Sequence, residues 1–206
     1  MTHIGRSEKV LVMRLFITVL VLIFSLQSWS KADDIRDLEI EGISIGDSLL
    51  DFYELDEINS WKKVIYPSSD KYFKVDTTSA KGDYDDIGFH LKKNDSKFVI
   101  YEIAGGKYFD DQMPECIEFK KKVALDISDI TKNSKKDSYR YFYKKVENGK
   151  SYADIDDFEF DNGDQIRLWC VNWSDKVEKK LNFTDNFSIS LTTKEHMKWI
   201  NTEAYQ

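Results

Sequence analysis

Residues 155–173 read IDDFEFDNGDQIRLWCVNW. Two strand-like runs flank Asp161-Asn162-Gly163-Asp164, and an Asn-Gly pair between such runs is a strong short-range signal for a β-hairpin. In the second run, Ile166, Leu168 and Cys170 project to one side of the strand. Arg167, Trp169, Val171 and Trp173 project to the other. An antiparallel sheet can cover one face with helices and leave the second open to water. The expected class is therefore α+β, an antiparallel sheet with helices packed on one face.

The helix that covers this sheet is expected at about 112–131. Asp110, Asp111 and Pro114 announce its start. Cys116, Phe119, Val123, Ile127 and Ile130 recur at steps of three or four, one stripe of an amphipathic helix. The chain has 2 cysteines, Cys116 and Cys170. In an oxidising compartment two cysteines usually pair, the alternative being two buried thiols. A Cys116–Cys170 bond ties helix to strand, makes Ile166 and Leu168 core-facing, and contributes roughly 4 kcal/mol through loop closure.

Further out, an opening strand is expected over Leu38–Ile45, then a turn at Gly46-Asp47-Ser48 and a helix, with Asp56 capping a second short one to about Lys63. Strands follow at Lys71–Thr78, and at Tyr84–Lys92 and Lys97–Ile103 around a Lys93–Ser96 turn, closed by Gly105-Gly106. Beyond the long helix come strands at Tyr139–Val146, Ile155–Phe160, Gln165–Trp173 and Phe187–Leu191. Thr192 or Thr193 then caps a C-terminal helix bearing Met197, Ile200 and Ala204. The order repeats at an offset of 68, with Tyr84 and Ile87 mapping onto Tyr152 and Ile155. A tandem αβββ duplication, with halves 33–108 and 109–206, is one reading of that order.

The N-terminus reads as a cleaved export signal over residues 1–32. Arg6, Lys9 and Arg14 precede the apolar run Leu15–Leu26, and Ser30-Lys31-Ala32 supplies small residues for cleavage. Met13 is an alternative start. The apolar run is too short for a membrane span, and no second one follows. Cleavage after Ala32 leaves 26 basic and 36 acidic residues, a net charge of −10. Such a chain is a poor partner for nucleic acid, whose phosphates need Lys and Arg. Aromatic residues make up 14% of the chain, too many for a disordered one. A periplasmic or secreted location is expected.

Candidate chemistry concentrates on the uncovered face. Trp169, Trp173 and Arg167, joined by the alternating Tyr139, Tyr141 and Tyr143, make an aromatic platform of the kind that stacks on sugar rings or anchors a partner protein. The alternative is that the segment from Ser174 onward folds across and buries it. Residues 119–150 carry a local charge of +6, and 151–164 hold six acids with no base. Cross-strand pairing accounts for this better than an anion site. Those acids fail the EF-hand test, since Asn162 stands where Gly is required and Leu168 where Glu is, so a solvated hairpin is expected. His90, alternating with Ile87, Phe89 and Leu91, reads as a surface or packing residue. No HExxH, CxxC, GxSxG or phosphate loop occurs, so no cofactor, metal ligand or catalytic residue is assigned.

Ala32-Asp33-Asp34-Ile35, the run Ile40–Asp51, Trp173-Ser174-Asp175, the two cysteines and Thr184-Asp185-Asn186 resemble a group of small exported proteins of unknown function from free-living marine alphaproteobacteria. The resemblance spans most of the mature chain and implies an envelope location, with no activity to transfer. In element order alone the chain is also similar to secreted beta-lactamase-inhibitor-type binding proteins. The expected function is non-catalytic binding of an envelope protein or glycan. The alternative is a glycan or peptidoglycan hydrolase using paired carboxylates, which needs two acids facing each other in a deep cleft, one with a raised pKa.

Overall fold

An eight-stranded antiparallel sheet organises the chain. The computed structural model describes Ala32 and residues 34–206, apart from 79–81, 83, 111, 132 and 145–146. The expected export signal lies outside the described residues, except Ala32, whose N–H donates to the Ile130 carbonyl at 3.1 Å. Among the described residues no helix is long and apolar enough to cross a membrane.

The strands are β1 (Glu39–Ile40), β2 (Ile43–Ser44), β3 (Lys63–Ile65), β4 (Tyr72–Thr77), β5 (Asp86–Lys92), β6 (Ile100–Tyr108), β7 (Lys135–Phe142), β8 (Tyr152–Glu159), β9 (Gln165–Asn172) and β10 (Asn186–Thr192). The α-helices are α1 (Leu55–Ser60), α2 (Met113–Ile130), α3 (Asp175–Leu181) and α4 (Lys194–Thr202). The sheet order is β3-β4-β5-β6-β10-β9-β8-β7. Two meanders thus approach from opposite edges, and β10, a strand beyond the αβββ outline, joins them between β6 and β9. The helices of the two halves are unequal: a 3-10 turn at Leu49–Asp51 and the 6-residue α1 stand against the 18-residue α2.

Helix α2 lies across β9 and β10. Cys116 and Cys170 form the disulfide, with Cα atoms 6.0 Å apart. Ile166, Leu168, Phe187 and Leu191 are buried beneath the helix face with Phe158 and Ile103. Lys120 stands at the centre of the buried stripe, its Nζ 3.3 Å from the buried Asp156 carboxylate. Two desolvated charges of this kind hold together only as a pair.

Several boundaries differ from the sequence expectation for local reasons. The opening strand is broken into the hairpin β1–β2, because Glu41 and Gly42 both adopt positive φ and Ile40 pairs back with Ile43. The second short helix begins at Leu55, not at Asp56, and β3 follows it. In the β5–β6 turn the Asp95 carboxylate accepts from the amides of Lys97 and Val99, so the strand starts at Ile100. It then runs through Gly105-Gly106 instead of ending there. A Cβ on Gly105 would stand 2.8 Å from the Tyr84 ring, so the glycine is where that ring lies on the strand. Strand β7 begins four residues before Tyr139 and ends at Phe142.

Replacing both cysteines by alanine should lower unfolding free energy by about 4 kcal/mol, measured by urea denaturation. Lys120→Ala should cost about 3 kcal/mol in the same assay, the low end for an orphaned buried charge. The low value follows from Lys136, whose Nζ is 3.9 Å from Asp156.

Candidate functional site

The face opposite α2 is where the polar and aromatic positions of the strands gather. Pleat and register fix three rows across it. Tyr139, Ile155, Trp169 and Ser188 form one, and Asp157, Arg167 and Ser190 the next. Gln165, Thr192, Glu102 and His90 form the third.

Helix α4 lies on this same face. Its start is fixed twice: the Thr193 hydroxyl accepts from the His196 amide at 3.2 Å, and the Asp164 carboxylate accepts from the Lys194 amide at 2.8 Å. Trp199 is fully buried against Tyr72, with ring centroids 5.0 Å apart, and its Nε1 donates to Ser69 Oγ at 2.8 Å. These contacts stand α4 along one side of a cleft of about 540 Å³. Met197, Ile200 and Asn201 line that side, Tyr139, Tyr141 and Tyr143 the other, with Arg167, Trp169, Ser190, Thr192, Glu102 and His90 also in the lining. Its size falls within the range of small-molecule sites.

Five of the six residues singled out for the aromatic face meet in this cleft. Tyr139 and Tyr141 are exposed, and Trp169 is half-buried against Ala153, Ile155 and Val171. Trp173 is outside the cleft lining, reached from it through Tyr143. It stacks on Tyr143 at 5.1 Å, meets Phe183 at 4.9 Å, and borders a second hollow with Tyr108, Asp85 and Asp86. The segment after Ser174 therefore reaches Trp173 through Phe183 and leaves Trp169 in the cleft wall. Arg167 is not a free cation. It donates to both Asp157 carboxylate oxygens, at 2.7 and 2.9 Å, and Tyr139 donates to the same carboxylate at 3.1 Å.

Four of the six acids of 151–164 are anchors, while Glu159 and Asp161 stay exposed as a solvated hairpin would have them. Asp156, Asp157 and Asp164 are buried. Arg140 holds Asp154 at 2.7 Å, and Arg36 reaches Asp164 at 3.1 Å. Opposite charges thus meet across β7 and β8, as the local charge segregation implies.

At the α4 side of the cleft three residues converge that were not assigned from sequence. His90 is buried, with Nδ1 3.0 Å from Glu102 Oε2 and Nε2 2.5 Å from the Tyr66 hydroxyl. His196 Nδ1 lies 2.9 Å from the same Glu102 oxygen. Burial works against a charged Glu102, but His90 and His196 outweigh it and hold the carboxyl well below its ordinary range. Burial pushes His196 down, against the pull of Glu102. Burial also raises Tyr66, which keeps its proton. The missed signal is the β5–β6 register. A four-residue loop at 93–96 would pair His90 with Val99, whereas the longer turn and a bulge after His90 pair it with Glu102.

No protein-family model matches the chain, and no curated protein or solved structure matches it. Arg167→Leu should destabilise the fold by about 3 kcal/mol, because Asp157 is left buried without its bidentate partner. Arg167→Lys should recover less than half of that loss in urea denaturation, lacking the planar fork.

Proposed function

We propose that the protein is an exported, non-catalytic binding protein whose cleft takes a short glycan. The observation that carries this reading is the cleft itself, with three tyrosines on one side and Trp169 beside them. Aromatic faces bury the apolar face of a sugar ring, and the neighbouring Ser190, Thr192 and Asn201 offer hydrogen-bonding groups to its hydroxyls. A cleft of about 540 Å³ suits a small ligand better than a protein partner, which needs on the order of 800 Å² per side. The Cys116–Cys170 bond fits an oxidising compartment outside the cytoplasm.

A paired-carboxylate hydrolase has less support. Among the described residues Glu102 is the one carboxylate in the cleft lining, and its histidine neighbours hold it ionised. A general acid needs the opposite shift.

Titration of the mature chain with a panel of envelope oligosaccharides and peptidoglycan fragments, by tryptophan fluorescence and calorimetry, tests the reading. Saturable binding is expected, weakened about tenfold or more by Trp169→Ala or Tyr141→Ala, the scale of one lost stacking contact. Absence of binding across the panel overturns it, as does undiminished binding by a Trp169→Ala, Trp173→Ala double variant.

A further inference from the structure

We infer that His90, Glu102 and His196 form a binding site for a divalent transition metal of the zinc class at the α4 side of the cleft. Their donor atoms all lie within 4.8 Å of one another, on two neighbouring strands and the helix that packs over them. Two imidazoles and one carboxylate are a donor set that zinc accepts, with a fourth position left for water or a ligand atom. Hard cations such as magnesium and calcium take oxygen donors instead. Both cysteines are committed to the disulfide, so the set is nitrogen and oxygen alone.

A purely hydrogen-bonded cluster accounts for part of this arrangement but not for His196. That ring is 1% exposed and lines the cleft, yet neither nitrogen has a hydrogen-bond partner among the described residues. Its Nδ1 comes within 2.9 Å of the Glu102 oxygen without the alignment a hydrogen bond requires. An unsatisfied buried imidazole bears the full desolvation penalty of its ring nitrogens. A metal ion offers it a partner.

The surroundings supply the support that metal ligands usually have. A ligating histidine donates its other ring N–H to a fixed acceptor, which sets its tautomer. With His90 bound through Nδ1, its one proton sits on Nε2, 2.5 Å from the Tyr66 oxygen. Tyr66 is itself held edge-on to Trp199 at 4.9 Å. It is a positioning residue for the site, not a ligand.

The inference goes beyond the glycan reading and does not depend on it. Mature protein stripped with a chelator is dialysed against Zn²⁺ alone, and uptake and affinity are read by elemental analysis and calorimetry. One equivalent is expected, together with a rise in Tm on zinc addition. Glu102→Gln keeps size and shape and should lower affinity about a hundredfold and abolish the Tm rise. His196→Ala should do the same. Tyr66→Phe should weaken zinc about tenfold at unchanged stoichiometry, as loss of a supporting hydrogen bond does. No zinc uptake by the wild type overturns the inference, as does uptake that Glu102→Gln leaves undiminished. Preference for Mg²⁺ or Ca²⁺ over Zn²⁺ also overturns it. Should His196→Ala fail to fold, Glu102→Gln decides. Zinc uptake without glycan binding leaves the site standing alone, and glycan binding without zinc uptake removes the metal site only.

Discussion

A pleated sheet has two faces, and the covalent bond between Cys116 and Cys170 locks the apolar one as the interior. It anchors the long helix to a strand whose Ile166 and Leu168 share the cysteine's side. Once that side is committed, strict alternation commits the other. Arg167 and Trp169 must emerge on the reverse, where no helix from the middle of the chain reaches them. The site is thus a by-product of core formation, and its positions are set by the same pleat that buries the core.

The reverse face is nevertheless not left bare. Asp164 gathers three parts of the chain, accepting from Arg36, from Asn162 in its own turn and from the Lys194 amide. Because it sits in the hairpin between β8 and β9, it sets where α4 starts relative to those strands. The burial of Trp199 sets where α4 comes down on β4. Between these two attachments the helix can close only one side of the sheet's reverse, and the uncovered remainder is the cleft.

Legibility from sequence followed the range of each constraint. The Asn-Gly hairpin, the Pro114 start of the long helix, the Thr193 cap and the alternation of residues 166–173 are local, and all are readable. The aromatic face was readable because its residues lie on strands whose period is unambiguous. What escaped was register. One carboxylate, Asp95, captures two amides and lengthens the β5–β6 turn, and this shift brings His90 opposite Glu102. Neither His90 nor Glu102 carries a local mark of the other. His196 comes from a helix whose placement depends on contacts made by Trp199 and Asp164, so its arrival between them is a tertiary event. The Glu41-Gly42 turn was hidden for a different reason, since Glu is an unusual residue at positive φ.

Strand β7 combines two demands that ordinarily conflict. It is one of the sheet's two edge strands, so one row of its backbone amides and carbonyls has no neighbouring strand among the described residues. Aromatic residues on such a margin invite another chain to continue the ladder. Lys135, Lys136 and Arg140 are interleaved along it with Tyr139 and Tyr141, and all of its residues are exposed. A second copy approaching this margin would bring its own Lys135 and Lys136 against these, Arg140 being already held by Asp154. A neutral ring entering from the face meets no such repulsion. The open margin of the strand is thus guarded by charge, while its tyrosine rings turn toward the cleft.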